Sequence, residues 1–481
     1  MRVNIILRYI GVVTVLNALF MLIAAAISLL NGMDTAFYPL LLSAVITASA
    51  GSFPLIFVNK SDQVTMKEGY MVVVGAWIVA CVVGMFPYLL WGGEFDLSTA
   101  WFESVSGFTT TGSTALSDVE ALPKGLLFWR SATHWLGGIG VVMFVMVILP
   151  SLGRNKLTLS SVEISSLARD NYRYRAQKVV KILLFIYVGM TVAESLLLRI
   201  AGMDWFDAVN HSFSTVATGG FSTRNANIGD YGSAWIEGIV MFFMLLSGVH
   251  FGLIFATITG KRNNMFRSEI VRFYGATFLI GGLIIALSLW LNHLYPTFLE
   301  SARYGLFQAA AVITTTGFVT ANTTLWTSLA TIILIFMMFQ CACAGSTSGG
   351  IKSDRVWLAI KVFKARILQQ QHPNAVIRIK LNNVVQEQSV INYAMFFIVL
   401  YIMIVLAGTM IVAATGLDLT TSFSMVGASM GNVGAAFGQV GAEGNYAQIS
   451  PMVKIFCTLF MLLGRLEIFG LIQLFLIKWW R

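Results

Sequence analysis

Ten apolar stretches, each near the length of a bilayer crossing, dominate this chain: they lie near residues 5–30, 37–58, 70–91, 127–149, 179–200, 234–259, 271–292, 326–344, 391–415 and 452–477. A hydrocarbon core about 30 Å thick takes roughly 20 apolar residues of helix, so the pattern predicts an all-α polytopic membrane protein with ten transmembrane helices. Composition agrees, since 57% of the 481 residues are hydrophobic and 11% charged, against about 25% charged in an ordinary soluble domain. A water-soluble globule is excluded. The first run follows Arg2 and Arg8 as a secretory signal would, but Ile5 to Leu30 is too long for a signal core and lacks a clear small-residue cleavage site, so it reads as the first crossing. Cys81, Cys341, Cys343 and Cys457 all sit in apolar surroundings, with no pair at metal-ligand spacing, and read as small core residues.

The formal charge of +9 would suggest nucleic acid as a partner in a soluble protein. Here its placement assigns it another meaning. The stretches near 59–68, 150–181, 260–272 and 352–380, together with the two ends, hold 24 of the 31 Lys and Arg residues. The positive-inside rule makes those segments cytoplasmic, and an even number of crossings puts both termini there as well. The opposite loops carry Asp34, Glu94, Asp96, Asp118, Glu120, Asp204, Asp207, Asp230, Glu300, Asp418 and Glu443, whose sign attracts cations from outside.

Between the long runs lie four shorter helical stretches, near 98–109, 205–216, 301–314 and 418–430, too short to cross. Each leads into a Gly-centred signature: FESVSGFTTTGST through Gly112, HSFSTVATGGFST through Gly220, FQAAAVITTTGFVT through Gly317, and SMVGASMGNVGAAFG through Gly434. A second glycine follows each, at Gly140, Gly248, Gly345 and Gly464. The repeated unit is therefore span, half-length helix, Gly-Thr loop, span. It divides the chain into two N-terminal crossings (1–68) and four pseudo-repeats (69–160, 161–265, 266–380 and 381–481).

Non-helical backbone survives at membrane depth only where protein buries it or where it lines a water-filled cavity, so four such loops require a shared lumen. A half-length helix entering from outside directs its negative carbonyl end toward the membrane middle, which favours a cation. The glycine after it takes φ > 0 at little cost and lets consecutive carbonyls point one way, while neighbouring threonines add hydroxyl oxygens. Four loops around one axis make an oxygen cage able to replace the hydration shell of a monovalent cation. Small residues also serve plain helix packing, and for one TTTG that would suffice; four recurrences at the same place in the unit favour the cage.

In these residues the chain resembles the Trk, Ktr and HKT potassium transporters, over almost its whole length. Its two extra N-terminal spans, its basic loops and the STVATGGFST and TTTGF stretches are most similar to the TrkH/TrkG type of bacterial membrane subunit. The resemblance implies four pore-forming repeats around one selectivity filter. The filter residues are then Thr110, Thr111, Gly112; Thr218, Gly219, Gly220; Thr315, Thr316, Gly317; and Asn432, Val433, Gly434. Glycine at all four key positions goes with potassium, whereas a serine in the first loop of some plant members goes with sodium. The fourth loop departs from the Thr-rich form of the first and third. The resemblance further implies potassium uptake across the bacterial inner membrane, a homodimer, and control by a cytosolic ring of nucleotide-binding RCK/KTN subunits of the TrkA kind docked on the basic loops. Potassium is the cargo; no organic cofactor is expected in the chain.

The run at 326–344 leads into AGSTSGG, Ala344 to Gly350, too flexible and polar to continue as a helix across lipid. It fails as a phosphate-binding loop, because the lysine that motif requires at position 351 is Ile351. In the family the matching segment is an intramembrane loop under the filter, a role carried here to Gly345, Ser346, Thr347, Ser348, Gly349 and Gly350. Arg465 lies within the last run, where an unpaired guanidinium costs at least ~2.5 kcal/mol, so it must face protein or water; a snorkelling side chain or a structural pair with Glu467 is the lesser reading, since the position is too deep to snorkel easily. The family places an arginine there as an electrostatic barrier, which makes Arg465 and the 344–350 loop the expected gate. Glu103 is read as a partner of Arg130 or an acceptor of hydrogen bonds from a neighbouring loop, Glu194 as paired at a span end, and His134, His211 and His250 as satisfied core histidines. No metalloprotease, serine-hydrolase or paired-carboxylate motif argues for an enzyme. A sodium- or proton-coupled secondary cation transporter is the alternative, and the scarcity of acidic residues near mid-span counts against it.

Overall fold

The computed structural model describes residues 2–59, 65–148, 176–261, 264–441, 444–468 and 470–472. Much of the expected basic segments at 60–64, 150–175 and 262–263, the acidic Glu443, and the last apolar run beyond 472 lie outside the described residues. The described residues are mostly helical. Helices α1 (Val3–Leu30) and α2 (Phe37–Phe57) form an antiparallel hairpin that crosses at Gly11 and Gly51, where a side chain on either would strike the other's carbonyl oxygen. Small residues at a crossing allow backbones to approach, the usual solution for helices that have no hydrophobic force between them in lipid.

The remaining helices are taken in four successive units. The first is α3 (Met66–Gly84) continued by α4 (Phe86–Trp91), then short α5 (Leu97–Phe108), then α6 (Lys124–Ile148). The second is α7 (Ala176–Ile200), short α8 (Trp205–Val216), then α9 (Ala234–Ser247) and α10 (Phe251–Ile258). The third runs α11 (Glu269–Leu291), short α12 (Phe298–Ile313), α13 (Ser328–Gln340) and α14 (Ser353–Gln371). A two-residue hairpin, β1 (Lys380–Leu381) with β2 (Val384–Val385), leads to the fourth: α15 (Gln388–Ala413), short α16 (Leu419–Gly431) and α17 (Pro451–Arg465).

Among the described residues, six helices are long and apolar enough to cross a membrane: those over Val3–Leu30, Phe37–Phe57, Lys67–Trp91, Lys181–Ile200, Glu269–Leu291 and Gln388–Ala413. Their outward faces are apolar, with Phe53, Phe57, Phe185, Ile280, Val399 and Met403 all exposed, the inverse of a soluble surface. Polar side chains such as Ser104, Ser106, Thr111, Ser212, Thr316 and Ser429 are buried instead.

Three runs differ from the expected uninterrupted helices. The run at 234–259 is broken after Gly248 and bends by 105° between α9 and α10, with the His250 ring nitrogen accepting from the Gly252 N–H to cap the second piece. The run at 326–344 ends at Gln340, and α17 ends at Arg465, which puts Arg465 at a helix terminus rather than mid-helix. The basic segment 352–380 is mostly the helix α14, whose polar sequence escapes a search for apolar runs. The turn after it, Asn382–Asn383, has φ of 46° and 65°, the left-handed pair that a tight hairpin demands and asparagine tolerates.

Candidate ion-binding site

Each short helix begins on an oxygen-bearing side chain. Asp96, Asp204, Thr297 and Asp418 accept from the backbone N–H three residues on, at Thr99, Asp207, Glu300 and Thr421. Three of the acidic residues expected to draw cations are thus helix caps, and the Thr421 hydrogen bonds hold the exposed Asp418 carboxyl below its usual range. Asp207 is likewise engaged, by Thr223, Arg224 and Tyr231. Asp118 accepts from the Asn225 amide at 2.7 Å, which lowers its pKa too.

The four helices also end alike. The N–H groups of Thr110, Thr218, Thr315 and Asn432 turn back to the carbonyls three residues earlier at 2.9–3.2 Å, and those of Thr111, Gly219, Thr316 and Val433 to the carbonyls five earlier at 2.8–2.9 Å. This is the Schellman closure, which needs one residue in the left-handed region. That residue is Thr110, Thr218, Thr315 or Asn432, at φ 53°, 55°, 60° and 52°. Two positions later come Gly112, Gly220, Gly317 and Gly434, at φ 82°, 83°, 73° and 75°. The glycines match expectation. The threonines do not: a β-branched residue at positive φ is an outlier that costs about 1–2 kcal/mol, and Asn432, at home in this region, was the available hint. Despite its different residues the fourth loop has the same backbone.

The glycines establish how the loops meet. A Cβ built on Gly112 falls 1.9 Å from the Gly219 carbonyl oxygen, one on Gly220 falls 1.9 Å from that of Thr316, one on Gly317 falls 2.0 Å from that of Val433, and one on Gly434 falls 2.2 Å from that of Thr111. The series closes on itself: each loop seats its glycine against the middle carbonyl of the next, around one axis. All four glycines line one cavity of about 170 Å³, together with Ser113, Asn227 and Tyr446. Asn432 Nδ2 ties the fourth loop to the first by donating to Thr111 Oγ1 at 3.0 Å. Behind the ring Glu103 accepts from Arg130 Nε at 3.1 Å, Thr114 Oγ1 at 2.6 Å and the Ala115 N–H at 2.6 Å, so the expected pair is present and also braces the first loop.

The 344–350 segment lies against this ring. Thr218 Oγ1 donates to Thr347 Oγ1 at 3.2 Å, Thr347 Oγ1 to the Val216 carbonyl at 3.2 Å, and the Gly349 N–H to Thr315 Oγ1 at 3.4 Å. A Cβ on Gly349 would strike the Gly431 carbonyl and Asn432 Oδ1, both at 2.6 Å. Ser346 and Ser348 share a hydroxyl hydrogen bond of 2.8 Å, while Gly345 backs onto the His250 ring and Gly350 onto Cys341 Sγ. Arg465, 6% exposed, donates from Nη1 to the Thr347 carbonyl at 2.5 Å and from Nη2 to the Gly137 carbonyl at 2.9 Å. It therefore joins the third-unit segment to the first unit.

Several expectations are corrected here. The lesser reading, a pair between Arg465 and Glu467, does not form: Glu467 takes Arg355 at 2.7 Å and Lys352 at 3.4 Å, from the N-terminal end of α14. Gly137 seats against the Phe108 carbonyl as Gly464 does against that of Met430, whereas Gly140 backs onto Trp77. Glu194 is buried and has no ion-pair partner among the described residues. His134 hydrogen-bonds Ser214 through Nδ1, but its Nε2 has no partner among the described residues. Sequence reasoning missed Lys352, Arg355 and Glu467 as a cluster because it joins positions more than a hundred residues apart.

A helical membrane-type chain whose four like loops close into one ring of glycines and carbonyls defines the class. A family model described as TrkH, cation transport protein, matches residues 40–275 and 296–479. The chain is 34% identical to the Trk system potassium uptake protein TrkH of Escherichia coli strain K12 and 36% identical to TrkH of Halomonas elongata, over the whole of both chains in each case. It is 31% identical to the E. coli potassium uptake protein TrkG, over 87% of this chain and 86% of that one. The crystal structure of the potassium transporter TrkH from Vibrio parahaemolyticus superimposes with a TM-score of 0.90 at 30% identity, covering all of both chains. The chain belongs to the TrkH family of cation transport proteins.

Proposed function

We propose that this protein takes up potassium across the bacterial inner membrane through a carbonyl-lined filter. The filter oxygens come from Thr110, Thr111 and Gly112, Thr218, Gly219 and Gly220, Thr315, Thr316 and Gly317, and Asn432, Val433 and Gly434. Ten crossings, two N-terminal and eight in the pore repeats, leave both termini in the cytoplasm. The single observation that carries this reading is the cyclic contact of each loop glycine with the next loop's carbonyl. A ring of backbone dipoles around a closed axis, at the negative ends of four half-length helices, suits one dehydrated monovalent cation. The printed names of the relatives, potassium uptake proteins, agree in cargo.

The same reading makes the 345–350 segment and Arg465 the closed gate. The segment's hydrogen bonds to Thr218 and Thr315 and the guanidinium's grip on the Thr347 and Gly137 carbonyls support an obstruction directly beneath the ring. Control falls to a cytosolic RCK/KTN-type ring of the TrkA kind acting on a homodimer, with α14 and the basic segments as its contact. The test is reconstitution of the full chain in liposomes with a potassium gradient. Current reversing at the potassium equilibrium potential, independent of pH and sodium, supports the channel; a reversal potential that follows either ion assigns the coupled carrier instead.

A further inference from the structure

Arg130 and His134 are one turn apart on α6 and share a face of that helix. That face meets the second filter loop just past its glycines. Arg130 Nη1 donates to the Ser222 carbonyl at 3.2 Å, and its guanidinium stands 4.1 Å from the centre of the Phe221 ring. The buried His134 ring stacks on Phe221 as well, with centroids 4.1 Å apart and planes 16° from parallel. The Phe221 N–H donates to His134 Nδ1 at 3.4 Å, and Ser214 Oγ lies 3.3 Å from the same nitrogen. A donor must meet a lone pair, so Nδ1 is bare and the neutral ring carries its proton on Nε2. The ring also takes the space that a side chain at Gly219 would need: a Cβ built there falls 2.3 Å from Nδ1 and 2.5 Å from Cγ. The carbonyl of that same Gly219 is the one against which Gly112 seats.

We propose that His134 is a positioning residue for ion selection: its Nδ1 lone pair and the wall of its ring hold the 219–221 backbone, and with it the Gly219 carbonyl, where the ring of loops needs it. The inference rests on the filter reading above. Arg130 cannot take over this role, because a guanidinium has donors only and the Phe221 N–H requires an acceptor. Without Nδ1 that buried N–H loses its acceptor, at a cost comparable with a whole hydrogen bond. The loop then gains by turning the N–H elsewhere, which carries Gly219 with it.

Asparagine and leucine share a shape, and only asparagine offers an oxygen where Nδ1 stood, so the two variants separate the acceptor from the ring. Bi-ionic reversal potentials of the full chain in liposomes should show His134→Leu lowering potassium-over-sodium discrimination about tenfold, and His134→Asn within about twofold of wild type. Equal losses in the two variants overturn the acceptor's role. Discrimination unaltered in His134→Leu but lowered in Gly112→Ala overturns this inference alone; unaltered in both, it overturns the filter reading and the inference with it. A second measurement needs no variant. Thr133–His134 is the only Thr–His step in the chain, so threonine labelled at its carbonyl carbon, together with uniformly labelled histidine, singles out His134 in solid-state NMR of the protein in lipid. At neutral pH the spectrum should place the proton on Nε2 and leave Nδ1 bare, and a proton on Nδ1 overturns the proposal whether or not either variant folds.

Discussion

Replacing Gly112 by alanine separates the two demands the ring makes on its glycines. The first is conformational: at φ 82° an L side chain costs about 1–2 kcal/mol. The second is spatial, because the new methyl would sit 1.9 Å from the Gly219 carbonyl oxygen. Carbon and oxygen do not approach so closely, so that oxygen must retreat by roughly 1 Å, a displacement that in preorganised sites costs on the order of a hundredfold. The oxygen displaced belongs to the second loop, although the substitution is in the first. Gly416 supplies the control: its φ is 95°, and a Cβ there has no neighbour within 4 Å, so Gly416→Ala meets the conformational cost alone. The expected result is that Gly112→Ala lowers potassium-over-sodium discrimination at least tenfold, equivalent to about 1.4 kcal/mol, while Gly416→Ala leaves it unchanged and loses only the conformational share of thermal stability. Bi-ionic reversal potentials in liposomes, beside melting curves of both variants, make the comparison. Wild-type discrimination in a folded Gly112→Ala protein would refute the argument that these carbonyls coordinate the ion.

Arg465→Ala removes the donors to the Thr347 and Gly137 carbonyls and should raise basal rubidium flux in liposomes lacking any cytosolic subunit, with Arg465→Lys intermediate; equal fluxes in all three proteins would count against the gate. Glu467→Gln weakens the contacts to Lys352 and Arg355 that tie α14 to the end of α17, so basal flux should rise by less than in Arg465→Ala, and no rise would show that α14 does not steady the gate. Glu103→Gln leaves the Arg130 guanidinium, 1% exposed, without its carboxylate, and loss of one partner of a buried pair costs about 3–5 kcal/mol. The drop should show in the melting temperature of the purified protein, and the double variant Glu103→Met with Arg130→Met should recover part of it.

What could be read from the amino acids alone follows from the range over which each constraint acts. Apolar run length is a local property set by bilayer thickness, so the helices at 3–30, 37–57, 269–291 and 388–413 fall within a few residues of expectation. The glycine quartet was legible because a cyclic site repeats its local demand, positive φ without a Cβ, in every unit. The strained Thr110, Thr218 and Thr315 were not, since their own preferences oppose the conformation and only the surrounding burial enforces it. Non-local partners were least accessible. Glu467 sits two residues from Arg465, and a pair between them is the lesser reading of the sequence; a left-handed turn at Glu467, φ 46°, follows the end of α17. With the helix ended between them, the two side chains make separate contacts: Arg465 holds the Thr347 and Gly137 carbonyls, and Glu467 holds the cations of α14. The end of α17 thereby contacts both the 345–350 segment and the helix α14 that follows it, and on the gate reading proposed above this contact is what would let α14 act on the gate.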